Sequence, residues 1–214
     1  MGSDPVALRP LAVVTAGVVA IESLARWAIA HRGIDPLAGI GLARMLDIAW
    51  MALVVSRHPL GWDRIGLARS GWSLGLTKGL IWSAGFGILA VFGYALLSMT
   101  GFDPLRIIRP HPVVVMPNPV LLFLVGGFIA PIAEEAYFRG LMYGYCRRWG
   151  FWPALFLSTL VFTLLHGSAP GAPIPQVVGG LVFATAYEME KSLIVPILIH
   201  IFGNTAIFSL TYLL

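Results

Sequence analysis

Long apolar stretches separated by short connectors, which hold most of the charge, set the pattern of this chain. A helix that spans a bilayer takes about 20 mainly apolar residues. The pattern predicts seven such helices, at about residues 10–30, 38–56, 76–99, 119–146, 152–167, 174–189 and 192–213. The fifth and sixth are short, as tilted or partly re-entrant segments are. The expected fold class is therefore all-α: a polytopic transmembrane helical bundle of about seven spans. No internal repeat or low-complexity tract is visible, and no length is left for a second, soluble domain.

The connectors add to this picture. Residues 57–78 hold Arg57, Arg64, Arg69 and Lys78 together with Trp62 and Trp72, the mixture of an interfacial segment. Prolines at 104, 110, 112 and 117 make residues 101–118 an irregular loop, and Arg147 and Arg148 occupy the turn at 147–151. The chain thus divides into N-terminal helices with an interfacial segment, 1–118, and a C-terminal helical part, 119–214. Across alternate connectors, Arg9, Arg57, Arg64, Arg69, Lys78, Arg147, Arg148 and Lys191 fall on one side, and Arg32, Arg106 and Arg109 on the other. That asymmetry favours a cytoplasmic N-terminus and, with seven spans, an external C-terminus. The first stretch has only Arg9 as a basic start and lacks a clean small-residue cleavage site, so it reads as a retained span.

Composition points the same way. Of 214 residues, 58% are apolar and 11% charged, with a mean hydropathy of +0.85. An ordinary soluble surface carries about a quarter charged residues, so the surplus apolar surface requires lipid. An integral, multi-pass membrane protein follows, in the inner membrane if the source is bacterial. The net charge of +4 comes from scattered Lys and Arg with no basic stripe, which excludes nucleic acid as a partner. The single cysteine, Cys146, rules out an internal disulfide and a Cys-rich zinc site, and reads as a packing residue.

Ionisable residues within the spans change the picture most, because each costs several kcal/mol at membrane depth and needs a partner or a role. In the N-terminal half, Glu22 and Arg26 stand i,i+4 and Arg44 and Asp47 i,i+3, spacings that allow local ion pairs. The fourth span places Glu134 and Glu135 side by side in an apolar helix. Adjacent helical residues point about 100° apart. Arg139 lies i,i+4 from Glu135 and i,i+5 from Glu134, so spacing gives Arg139 to Glu135 and leaves Glu134 without a cation. A carboxylate so placed suits general acid–base chemistry. The fifth span ends at His166, and the seventh carries His200 and Asn204 one turn apart. Three spans thus offer a carboxylate, two imidazoles and an amide whose convergence accounts for all of them.

Two chemistries use such a set. In one, Glu134 and His166 activate a water for attack on a peptide carbonyl, while His200 and Asn204 donate to the oxyanion. In the other, Glu134, His166 and His200 hold a divalent metal with one open position. No H-E-x-x-H arrangement is present, and the metal-free version, with no cofactor, is preferred. Ser158 and Ser168 lie near His166 in sequence but without a G-x-S-x-G elbow. A proton-coupled transporter using Glu134 and His166 as a relay, or a non-enzymatic immunity factor, stands as the alternative from another class, although a transporter would more often show inverted repeats.

Glu134-Glu135-x-x-x-Arg139, then Phe162-x-x-x-His166, then His200-x-x-x-Asn204, in that order and each in its own apolar span, resemble the three motifs of the CPBP family. These are the CAAX-protease (Rce1-like) and bacteriocin-processing enzymes, intramembrane glutamic endopeptidases. The resemblance covers about residues 119–214. It implies an intramembrane peptidase without a metal, acting on a membrane-tethered protein or peptide. By the same resemblance Glu134 and His166 would activate water, His200 and Asn204 would form the oxyanion hole, and Glu135 and Arg139 would support them. His166, at a helix end, suggests that the site opens toward the loop 167–173, the external side by the charge count.

Overall fold

The computed structural model describes residues 6–58, 61–108, 118–166 and 173–213, which form helices and connectors with no strand. Helices occupy all seven predicted segments. We label them α1 (Leu8–Arg32), α2 (Pro36–Arg57), α3 (Trp72–Met99), α4 (Pro119–Trp149), α5 (Phe151–His166), α6 (Ile174–Glu190) and α7 (Ile194–Leu213). In hydrocarbon no water satisfies the backbone, so each segment closes its hydrogen bonds within itself. By length and composition α1, α2, α4 and the helical stretch Arg69–Met99 suffice to cross a bilayer, while Phe151–His166 and Ile194–Leu210 are shorter apolar helices. The chain is an all-α, multi-pass integral membrane protein. Much of the predicted loop 101–118, from residue 109 to 117, lies outside the described residues, as do residues 167–172 with Ser168.

Local chemistry sets the boundaries. Asp35 caps α2 by accepting from Ala38 N at 2.9 Å, and Asn118 caps α4 by accepting from Leu121 N at 3.0 Å. In both a proline follows at the first helical position, where a missing N–H costs nothing. The predicted interfacial connector holds a short helix, Gly61–Arg64, and a 3-10 turn, Arg69–Gly71. It docks on the α6–α7 turn through Leu193 N to Gly66 O at 2.9 Å.

Packing follows the rule for lipid, where apolar contact between helices gains nothing over contact with tails and small residues permit close approach instead. Gly75 and Gly79 on α3 lie against Ile194 and Leu198 of α7, where a Cβ would meet those side chains at 3.2 and 2.6 Å. Beyond that seam α3 turns Ile88, Leu89, Val91 and Phe92 outward, each more than 60% exposed, the surface that lipid covers. Val14, Met51, Val55, Ala133 and Leu141 form a core joining α1, α2 and α4. Tyr143, Cys146, Leu155, Ala184 and Tyr187 form a second among α4, α5 and α6, with Cys146 a buried packing residue.

Candidate active site

The site is built around an irregular α4. Val125–Ile129 and Ala136–Tyr143 wind as wide π turns, and the α-helical stretch Ala130–Glu135 between them carries both glutamates. Such turns arise where the usual ladder is interrupted. Pro131 is the interruption here, since it has no N–H and its ring crowds the carbonyl four residues back. With Ala130 N donating to Val125 O, the next donor in that register belongs to residue 131, and the Gly126 carbonyl is left open. Asn204 fills it, its Nδ2 donating to Gly126 O at 2.8 Å. One Asn204 N–H is thereby committed to the scaffold and the other remains.

Glu134 lies where α4, α5 and α7 meet. Its Oε2 is 3.5 Å from His166 Nε2 and 3.9 Å from His200 Nε2. The Glu134 side chain is buried, whereas that of His166, at the end of α5, is 31% exposed. His166 Nδ1 lies 2.7 Å from Phe162 O, which can only accept, so Nδ1 carries the proton and Nε2 faces Glu134 with its lone pair when the ring is neutral.

Glu135 serves the far side of the same assembly. Its Oε1 accepts from Arg139 Nη1 at 3.0 Å, the i,i+4 pair that the spacing predicts, with both side chains fully buried. The same Oε1 lies 2.8 Å from His200 Nδ1. Arg139 Nη2 reaches Gly180 O on α6 at 3.3 Å, and its guanidinium sits over the rings of Phe162 and Phe183 at 4.7 and 5.2 Å. Aromatic faces and one carboxylate are what a cation needs in a dry interior. Phe183 also stacks on His200, with ring centres 4.7 Å apart.

The geometry corrects two readings of spacing. Glu134 is not without a cation: Arg44 Nη2, from α2, lies 3.7 Å from its Oε1. Glu22 pairs with Arg44 Nη1 at 2.9 Å rather than with Arg26 on its own helix. The predicted Arg44–Asp47 pair is present at 3.3 Å. Local spacing favoured neighbours on one helix, but the α2–α4 approach supplies a stronger demand for Arg44. Gly41, one turn before it, lies so close to α4 that a Cβ would meet Val125 Cγ2 at 2.7 Å. That glycine is the signal in the sequence that could have found the contact. The structure thus gathers Glu134, His166 and His200 at one point, places Glu135 and Arg139 behind His200, and ties Asn204 to α4. The loop expected beyond His166 lies, up to residue 172, outside the described residues.

Comparison with known proteins bears on the same segment. Residues 116–206 match the family described as Type II CAAX prenyl endopeptidase Rce1-like. The membrane-embedded CAAX protease MroQ of Staphylococcus aureus (strain USA300) is 33% identical over 93 residues, which are 40% of this chain and 37% of that protein. The match therefore spans little more than a third of the relative's length. No solved structure matches the chain. Residues 116–206, which hold Glu134, Glu135, Arg139, His166, His200 and Asn204, are thus similar to the Rce1-like CAAX protease family over a little under half of the chain.

Proposed function

We propose that the chain is an intramembrane endopeptidase that hydrolyses a peptide bond of a membrane-tethered protein or peptide, near the C-terminus of that substrate, and that residues 119–214 are its catalytic part. The observation that supports this reading most is the placement of Glu134 Oε2 within 3.5 and 3.9 Å of two imidazole Nε2 atoms from two other helices. A water seated beside this cluster can reach Glu134 Oε2 and an imidazole nitrogen at hydrogen-bond distance. In the proposed reaction Glu134 takes a proton from that water, with His166 Nε2 orienting it, and the oxygen attacks the carbonyl carbon. The oxyanion accepts from the free Asn204 N–H and from His200. Because Glu135 accepts from Nδ1, His200 donates from Nε2 only as imidazolium. When the C–N bond breaks, the proton held by Glu134 passes to the leaving nitrogen, giving a carboxyl and an amine terminus.

The test is to express the wild-type chain and Glu134→Gln at equal levels in membranes and compare all peptide termini of the membrane proteome. Termini formed only with the wild type are expected, and a synthetic fluorogenic peptide spanning them should be cut by the purified protein. Identical termini in both membranes would overturn the peptidase reading. Activity lost to a chelator and regained with zinc would replace the metal-free mechanism with a metal one.

A further inference from the structure

A buried ion pair in lipid is satisfied one to one. Around Arg44 the count is three to one. Its Nη1 lies 2.9 Å from Glu22 Oε1 and 3.3 Å from Asp47 Oδ2, and its Nη2 lies 3.7 Å from Glu134 Oε1. Asp47 is 1% exposed, and its Oδ1 has no hydrogen-bond partner among the described residues. Asp47 and Glu134 are buried while the Arg44 and Glu22 side chains are 24% and 21% exposed, so the pairing of Arg44 with its neighbours does not by itself explain why a further carboxylate, from α4, is brought to this guanidinium. The arrangement is also directional. One face of the guanidinium fork is held by two carboxylates of α1 and α2, and the other face is aimed at one oxygen of Glu134. The second oxygen of that glutamate, Oε2, is the one that meets His166 and His200.

We infer that Arg44 is a positioning residue for Glu134, fixed by Glu22 and Asp47 so that it engages Oε1 and turns Oε2 toward the two histidines. None of these three residues lies in the family-matching segment 116–206. The N-terminal helices thus complete the site rather than only surrounding it. The inference rests on the peptidase reading above. It requires a planar fork, because one nitrogen binds the carboxylates of α1 and α2 while another faces α4, and a lysine ammonium offers no such geometry.

The test uses the whole chain in vesicles of phosphatidylethanolamine and phosphatidylglycerol, with the fluorogenic peptide built on the Glu134-dependent termini. Arg44→Ala should lower kcat about 10²-fold, the cost of a misplaced catalytic group, with KM unchanged. Arg44→Lys should fall nearly as far. Millimolar guanidinium should restore part of the kcat of Arg44→Ala, and urea at the same concentration should not. Glu22→Gln should lower kcat less, and should have no effect once Arg44 is Ala. Full kcat in Arg44→Ala, a change confined to KM, or rescue by neither additive would overturn the inference. Should Arg44→Ala fail to insert, unchanged kcat in both Glu22→Gln and Asp47→Asn would overturn it equally. Activity in Glu134→Gln, by contrast, would remove the peptidase reading itself.

Discussion

His200 is held between two adjacent residues of one helix: Glu135 Oε1 lies 2.8 Å from its Nδ1, while Glu134 Oε2 lies 3.9 Å from its Nε2. Two neighbouring carboxylates of α4 thus address opposite nitrogens of a single imidazole, one to fix it and one to face the reacting side. Glu135 is shared with Arg139, so its loss has two separable effects. Glu135→Gln should destabilise the protein by about 3–5 kcal/mol, because it leaves a buried guanidinium without its counter-charge. Combining Glu135→Leu with Arg139→Met should recover much of that stability in thermal unfolding in detergent. Peptidase activity should not return, since His200 still lacks its acceptor.

Glu134→Gln should behave in the opposite way. The amide keeps the shape of the side chain but cannot take a proton, so cleavage should fall by roughly 10²–10⁴-fold. Unfolding temperature in detergent should change little. Recovery of the intact variant from membranes at wild-type level checks the second half of the expectation.

Pro131→Ala would supply the N–H that the open Gly126 carbonyl lacks. Asn204 would then compete with the backbone for that acceptor and lose its anchor at 2.8 Å. Activity should drop, by about 10²-fold if the amide shifts by an ångström, while thermal stability holds or rises because an alanine replaces a proline within a helix. A rise in stability together with a fall in activity is the signature to look for.

Gly41→Leu places a side chain where Val125 Cγ2 already sits. α2 should be pushed off α4 and Arg44 drawn away from Glu134. Insertion should survive, because a leucine is as apolar as the span requires. Activity should be lost in inserted protein, and a Gly41→Ala variant should fall between the two.

Glu188 provides the contrast. Tyr143 Oη donates to it at 2.7 Å, Arg147 donates through Nε and Nη2 at 2.9 and 2.7 Å, and Lys191 Nζ lies 2.8 Å away. This cluster joins the ends of α4 and α6, and none of its members touches Glu134. Glu188→Gln should cost about 1–3 kcal/mol of stability through its charged hydrogen bonds, and kcat per folded molecule should not change.

The degree to which the sequence could be read follows how local each contact is. The seven helices were legible because a spanning segment announces itself by its own apolar length. The Glu135–Arg139 pair was legible because both partners lie on one face of one helix. Arg44 was misassigned for the same reason: the spacing rule that found Arg139 finds only neighbours on the same helix, and it gave Arg44 to Asp47 alone and Glu22 to Arg26. Its reach to Glu134 depends on an approach of two helices 80 to 90 residues apart in sequence, which the pattern carries only as Gly41. The wide turns of α4 were not legible as such, although Pro131, which interrupts the ladder at the first of them, stands in plain view. The meeting of His166 and His200 with Glu134 was expected because polar groups in three separate apolar spans need one another, and its catalytic meaning is what the variants above examine.

The wide turns of α4 also bear on what changes in chain length would do. Each holds one residue more than an α-helical turn and so rotates everything beyond it by about 100°. Val125, at the start of the first, packs against Gly41 of α2, and Leu141, within the second, packs in the core of α1, α2 and α4. Deleting one residue within Val125–Ile129 is absorbed when that turn relaxes to ordinary winding, so Glu134 and Glu135 keep their bearings and the open Gly126 carbonyl that holds Asn204 is what is lost. Deleting two residues there exceeds the one extra residue the turn can give up, and swings both carboxylates by about 100° away from the two histidines. The alignment of the two carboxylates with the two histidines is, in this sense, a property of counting.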